Sequence, residues 1–266
     1  MLLKNDSCCR VFIIVLCCLF ASGCMLNNQN TKGRDKLLDN KEVTLQDIAY
    51  NRTKNPSYRI GIEENGMIVP YLILTDDYNG DCLLLREFLL DEPKKYNIAK
   101  KYSGYYEDSE IDKYLNEEFI NRFTSELRNA IVDNTIVITD RNSLGGHGKD
   151  TTTITRKVFL LSFAEMNRNS GSRTNLKEGE PLEYFSRESN RIAYYENGQV
   201  GSWWLRTPNS GYRDVVCSVT ADGALDIVGI NGTEGEYLNG VRPAFCLKRE
   251  TKITIENGEL YVLVQD

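Results

Sequence analysis

The chain has 266 residues, 41% hydrophobic and 26% charged, with a formal net charge of −6. That composition is globular rather than disordered, and the length is ample for a substantial core. The acidic balance, with no basic stripe to neutralise phosphates, argues against a nucleic-acid partner.

Lys4 and Arg10 flank a short polar stretch, and the chain turns apolar from Val11 to Phe20. That run is about half of the roughly 20 apolar residues a helix needs to cross a bilayer. A charged start, a short apolar centre and the small residues Ala21, Ser22 and Gly23 describe a secretory signal peptide over residues 1–23. Small residues directly before Cys24 resemble the lipobox of bacterial lipoproteins, although Ala21 stands where that family usually has Leu or Val. The resemblance implies that Cys24 is the first mature residue and carries lipid on its sulfur. Two or three acyl chains, at about 0.8 kcal/mol per buried methylene, would anchor the chain on the extracytoplasmic face of the cell membrane. The plainer alternative is an ordinary secreted chain, or an uncleaved short anchor, in which Cys24 is a bystander. Residues 24–42 are polar and read as a lipidated tether, and residues 43–266 read as one domain. Beyond Cys24 only Cys82, Cys217 and Cys246 remain. This odd, widely spaced set has no zinc pattern and no disulfide framework. It fits either one Cys217–Cys246 bridge or three free buried thiols.

Thr44 to Tyr50 suits a short leading helix. From Tyr58 a meander of strands is predicted: Tyr58–Ile62, a turn at Glu64-Asn65-Gly66, Met67–Thr75, a turn over Asp77–Asp81, and Cys82–Arg86. The acidic turn fails as a calcium loop, because the sixth position from Asp77 is Cys82 and the twelfth is Phe88. Ser109, with Asp112 as an approximate capping box, opens a helix whose core stripe is Ile111, Leu115, Phe119 and Phe123. A second helix covers Thr124–Val132, and Thr135–Thr139 is a strand. Gly145-Gly146-His147-Gly148-Lys149-Asp150 has neither the spacing nor the Ser/Thr of a phosphate loop. His147, the single histidine, reads as an exposed loop residue. Lys157–Leu161 suits a buried strand, with Ser162 and Glu165 capping the turn after it. Residues 167–200 are polar and turn-rich. Strands return at Ser202–Arg206, Asp214–Thr220, Ala224–Ile230 and Val241–Lys248, and a last hairpin pairs Lys252–Glu256 with Glu259–Val264 across Asn257-Gly258. Antiparallel strands with a few segregated helices make an α+β domain.

Three stretches stand together: Tyr105-Tyr106-Glu107-Asp108-Ser109-Glu110-Ile111 with Tyr114-Leu115-Asn116 and Phe119, then Ser202-Trp203-Trp204-Leu205-Arg206-Thr207-Pro208, then Gly240-Val241-Arg242-Pro243-Ala244-Phe245. In this order they resemble an uncharacterised bacterial domain family found on secreted and surface proteins of anaerobes, over roughly Tyr58 to Leu247. That family is in turn similar to the C-type-lectin-like fold shared with sulfatase-modifying (formylglycine-generating) enzymes. The fold displays variable ligand-binding surfaces on a stable frame, so the resemblance implies binding. The paired-cysteine chemistry of those enzymes is not implied, because Cys217 and Cys246 lie far apart in sequence. Physically, Trp203 and Trp204 on one strand point to opposite faces, which predicts one in the core and one partly exposed. Pro208 and Pro243 mark strand ends. The arginine forks of Arg206 and Arg242 suit carboxylates or backbone carbonyls. Either these motifs knit the core together, or Trp204, Arg206 and Arg242 line a ligand groove.

The expected variable surface runs from Asn209 to Asn239, where Tyr212, Arg213, Asp214, Asp222, Asn231, Glu234, Glu236 and Tyr237 stand out on Gly-rich, polar loops. With 15 tyrosines and two tryptophans, stacking on a sugar face or against a protein is the favoured activity. The ligand-contact candidates are Trp204, Arg206, Tyr212, Arg213, Tyr237 and Arg242. No catalytic residue, metal ligand or cofactor is expected. A structural subunit of an envelope assembly and a carboxylate-based hydrolase are the alternatives.

Overall fold

The computed structural model describes residues 43–51, 59–98, 102–167, 177–231, 238–256 and 260–263. The expected signal peptide, Cys24 and the tether fall outside them. Strand β1 (Val43–Thr44) and a single helical turn, α1 (Leu45–Ile48), precede β2 (Arg59–Glu64), β3 (Met67–Tyr78) and β4 (Asp81–Arg86). The pairs Glu64↔Met67 and Tyr78↔Asp81 leave two-residue turns, Asn65-Gly66 and Asn79-Gly80. Both turns have positive φ at both positions, +50° and +80° in the first and +54° and +90° in the second. This turn twists in the same sense as its flanking strands, and Asn-Gly is the pair that adopts it most easily. The acidic stretch from Asp77 is thus a hairpin end. β3 extends past Thr75 to Tyr78, with irregular register along the way.

The expected single helix after Ser109 is not uniform. It starts as α2 (Glu110–Lys113), with Asp112 N–H donating to Ser109 Oγ at 3.3 Å. It widens into a π turn over Tyr114–Glu118 and tightens over Phe119–Arg122. A residue every fourth position drifts about 40° per repeat around an α-helix. A wider turn takes up that drift, and Ile111, Leu115, Phe119 and Phe123 all stay buried. The capping box also differs from expectation, because the Asp112 carboxylate accepts from Asp108 N–H at 3.0 Å rather than from Ser109. Thr124 caps α3 (Ser125–Ala130), accepting from Leu127 N–H.

Then follow β5 (Asn134–Thr139), β6 (Thr151–Arg156), β7 (Val158–Phe159), β8 (Ala193–Tyr194), β9 (Val200–Gly201), β10 (Trp203–Pro208), β11 (Val215–Val219), β12 (Leu225–Asn231), β13 (Ala244–Leu247), β14 (Lys252–Glu256) and β15 (Leu260–Leu263). The main sheet has eight strands in the order β1-β14-β15-β2-β3-β4-β13-β7, antiparallel except for β15 against β2. A second sheet is β10-β11-β12, and β5-β6 and β8-β9 are ribbons. The domain is sheet-rich with short helices. The last hairpin pairs Glu256 with Leu260, and its Asn257-Gly258 turn lies outside the described residues. No helix among the described residues is long and apolar enough to cross a membrane.

Strands β4, β10 and β13 are buried along their whole length. Trp203 and Trp204 are both 0% exposed, which corrects the expectation that one faces solvent. Irregular segments cover the two faces of β10. Trp203 Nε1–H donates to Arg191 O at 3.0 Å on one side, and Trp204 Nε1–H donates to Lys94 O at 2.8 Å on the other. The three thiols are free and buried. Cys217 sits on β11 and Cys246 on β13, in different sheets, so the alternative of a bridge between them is set aside. Burial pushes all three thiols up, Cys82 to about 12.

Candidate functional site

Arg206 is a fully buried guanidinium with every N–H bonded. Its Nη1 and Nη2 grip the Glu165 carboxylate at 2.8 Å each, and the remaining donors reach Val137 O (3.1 Å), Leu160 O (2.8 Å) and Glu178 O (2.8 Å). Glu165 is held by the Ser162 capping box, with N–H···O bonds of 2.8 and 3.1 Å, and accepts from Tyr78 Oη–H at 2.7 Å. Beside this pair, the Glu178 carboxylate accepts from Thr139 N–H, Thr139 Oγ1–H and Thr207 Oγ1–H. Burial raises the Glu178 carboxyl above its usual range, and its contacts with Arg206, Thr139 and Thr207 oppose this without cancelling it. Glu165, Glu178 and Arg206 are each 0% exposed, so this network clamps three segments of the core and meets no solute.

Arg242, 2% exposed, donates Nε–H to Arg86 O at 2.9 Å and lies 5.3 Å from the Trp203 ring centre. Its Nη1 has no hydrogen-bond partner, and burial lowers its pKa to about 10. Trp204 packs edge-on to Tyr96 at 5.5 Å. Of the two readings of the sequence motifs, the core-knitting one describes these placements. Trp204 and Arg206 are 0% exposed and Arg242 2%, so all three lie in the interior. Pro208 ends β10 and Pro243 directly precedes β13, as strand-end prolines should.

Tyr212 and Arg213 are the sequence candidates that the fold leaves at the surface, Tyr212 at 53% exposure. Asp222 closes the turn between β11 and β12 by accepting from Ala224 N–H and Thr220 Oγ1–H. Glu234, Glu236 and Tyr237 lie outside the described residues, as does the side chain of Asn231. The fold brings two further loops to Tyr212 and Arg213. Gly104 N–H donates to Arg213 O at 2.9 Å, while Gly145 and His147 N–H donate to Ser210 O at 3.1 and 3.0 Å. Gly145 suits its place through its backbone, and it leaves room for Arg213. Its φ is +77°, and a methyl group there would come within 2.7 Å of Arg213 Cγ. The aliphatic stem of Arg213 therefore lies along this glycine. The Arg213 guanidinium is 5.1 Å from the Tyr102 ring centre, and that of Arg141 is 4.9 Å from the same ring. Tyr105 adds a third ring, 6.0 Å from Arg141, with its Oη–H donating to Glu107 at 2.7 Å. The result is an aromatic surface of mixed charge built from residues 102–107, 140–150 and 209–214, in which Arg141 and Arg213 lie among Glu107, Asp140, Asp150 and Asp214. Tyr102, Tyr105 and Arg141 were missed in the sequence because nothing local couples them to Arg213. The Gly-rich run at 145–148 was the available signal, since several glycines together mark close backbone approach.

One groove, of about 360 Å³, opens beside α2 and is lined in part by Asp112, Asn116, Asp133 and Arg156. Its main charges are mutually satisfied, because Arg156 grips Asp112 through Nε and Nη2 at 2.8 Å each. Among the described residues no group of three or more His, Cys, Asp or Glu is placed to hold a metal ion.

A family model described as a domain of unknown function, DUF6273, matches residues 79–249, and the chain belongs to that family. No curated protein and no solved structure matches the chain.

Proposed function

We propose that this member of the DUF6273 family is a lipid-anchored surface lipoprotein. Its domain is C-type-lectin-like and binds a glycan through the loop cluster of Tyr102, Tyr105, Arg141, Tyr212 and Arg213. The observation that carries the reading is the separation of frame from loops. The two ends of the domain meet in one sheet, β1 against β14 and β15 against β2. The exposed Tyr212 ring, the half-buried Tyr102 and Tyr105 rings and the two guanidiniums sit on loops tied to one another by backbone hydrogen bonds. Preorganised aromatic rings contribute large contact area at low entropic cost, which suits recognition of sugar faces. The sealed position of Glu178 supports a structural rather than catalytic role for this carboxyl, whose proton affinity burial raises.

The test has two parts. In the native host, Cys24→Ser is expected to move the chain from the membrane fraction to the medium or to arrest its processing; unchanged membrane retention would sink the lipid anchor. On an array of glycans and cell-wall fragments, the domain from residue 43 onward is expected to bind a restricted set. Tyr212→Ala is expected to weaken that binding tenfold or more with the melting temperature unchanged. A blank array would overturn the glycan reading and favour a protein partner.

A further inference from the structure

We infer that a shallow cleft between the β8–β9 ribbon and residues 91–93 is a second carbohydrate site, which takes one neutral pyranose unit. It shares no residue with the loop cluster above and does not depend on that reading. The cleft has a volume of about 290 Å³ and is lined by Asp91, Pro93, Tyr195, Asn197 and Gln199. Ligand pockets run from about 300 to 1,000 Å³, so this one suits a single sugar ring rather than a length of polymer. Its lining holds one carboxylate and no lysine or arginine, which disfavours phosphate, sulfate and uronate groups. A carboxylate and two side-chain amides supply acceptors and donors for neighbouring hydroxyls. The tyrosine ring and the proline offer apolar faces to the C–H side of a pyranose.

These polar groups are uncommitted. Among the described residues nothing hydrogen-bonds the Asp91 carboxylate, the Tyr195 hydroxyl or the Gln199 side-chain amide. Asn197 Oδ1 accepts from Gln199 N–H at 2.9 Å, which leaves its Nδ2 as a donor. Burial raises the Tyr195 pKa, so the phenol stays protonated and able to donate. The groove beside α2 differs, because Arg156 and Asp112 there satisfy each other. Both walls of the cleft are fixed. On the ribbon side, Tyr195 N–H donates to Gln199 O at 2.8 Å, and Glu196 is tied to the buried Arg86 at 3.1 Å. A methyl group on Gly201 would come within 2.6 Å of the Tyr195 ring, so the ring lies against this glycine. On the other side, residues 91–93 are bracketed by Leu90 N–H on Val241 O and Lys94 N–H on Asn239 O, both at 3.0 Å. Trp204 Nε1–H holds Lys94 O, and Trp204 N–H holds Gly240 O. The Trp203-Trp204 and Gly240-Val241 stretches singled out in the sequence therefore set this wall. A site held in place before its ligand arrives loses less entropy on binding.

The experiment is a ligand-observed NMR titration of the full chain, in micelles of a detergent without a sugar headgroup. The probes are methyl glucoside, methyl galactoside, methyl mannoside, N-acetylglucosamine, glucosamine and glucuronate. At least one of the four neutral sugars is expected to bind, tenfold or more tighter than glucuronate and glucosamine. Asp91→Ala and Gln199→Ala should each weaken it tenfold or more. Both side chains are exposed, so an unchanged melting temperature will show that each variant folds. Tyr195→Phe, which keeps the ring and loses the hydroxyl, should weaken binding less. Tyr212→Ala, in the loop cluster, should leave it unchanged. Loss of binding in Tyr212→Ala with none in Asp91→Ala would overturn the cleft and leave the loop cluster standing. Preference for glucosamine would overturn the neutral class in favour of a cation held by Asp91, and preference for glucuronate would overturn it outright. Silence toward all six probes would overturn the site, whatever the glycan array shows for the loop cluster.

Discussion

Arg206→Ala is expected to lower the unfolding free energy of the domain by about 3–5 kcal/mol, seen as a large fall in the denaturant midpoint. Truncating one member of a buried pair leaves the other charge without its partner in an apolar interior, and that residual charge carries most of the loss. The Glu165 carboxylate would keep only Tyr78 Oη–H and Ser162 N–H. Three carbonyls, on Val137, Leu160 and Glu178, would lose a charged donor at the same time. Arg206→Lys should recover part of the stability but not all. An ammonium on a flexible stem can reach Glu165, yet it cannot fill five bonds laid out in the plane of a guanidinium. If Arg206→Ala instead unfolded within about 1 kcal/mol of the wild type, the clamp would be disproved, and the tryptophan-arginine motif would need another explanation. Binding at the surface loops should change little in any Arg206 variant that still folds.

The elements legible in the sequence are those set by short-range chemistry. Asn65-Gly66 and Asn79-Gly80 specify their hairpins because few other residue pairs tolerate positive φ at both positions. Ser162 with Glu165 reads as a capping box because its partners are three residues apart, and it forms as one. The second role of Glu165, as the counter-charge of Arg206, depends on a partner 41 positions away folding back, and no local pattern encodes that. β6 went unread because Thr-Thr-Thr-Ile-Thr-Arg carries a single apolar residue, so period-two alternation is invisible although β-branching favours the strand. Glu178 was passed over inside a polar, turn-rich stretch, where a glutamate is ordinarily solvated. The candidate site divides the same way. Tyr212 and Arg213 are visible as exposed-type residues on a loop, while Tyr102 and Arg141 join them only through the packing of distant loops. The exposure expected of one tryptophan fails because alternation on a strand predicts two faces but not whether both are covered.

Glu178 supplies the second large effect, and it carries a pH signature. Its carboxyl binds a proton more tightly in the folded domain than in the unfolded chain, because burial disfavours the charge more than Arg206 and the two threonines favour it. Folding therefore takes up a proton between the ordinary glutamate pKa and the raised one, and stability falls as pH climbs through that window. Below the ordinary pKa both states are protonated and this penalty vanishes. Each tenfold difference in proton affinity between the states costs about 1.4 kcal/mol once the window is passed. Glu178→Gln cannot ionise and keeps an acceptor for Thr139, so its stability relative to wild type should improve steadily as pH rises from about 4.5, the usual glutamate range. Glu178→Leu should behave oppositely. It orphans Thr139 N–H and the hydroxyls of Thr139 and Thr207, at about 1–3 kcal/mol for each buried donor left unmade. Denaturant midpoints of the three proteins across that pH range decide the matter. A stability difference between wild type and Glu178→Gln that stays flat with pH would mean that Glu178 is ionised in the folded core, held there by Arg206 against the cost of burial.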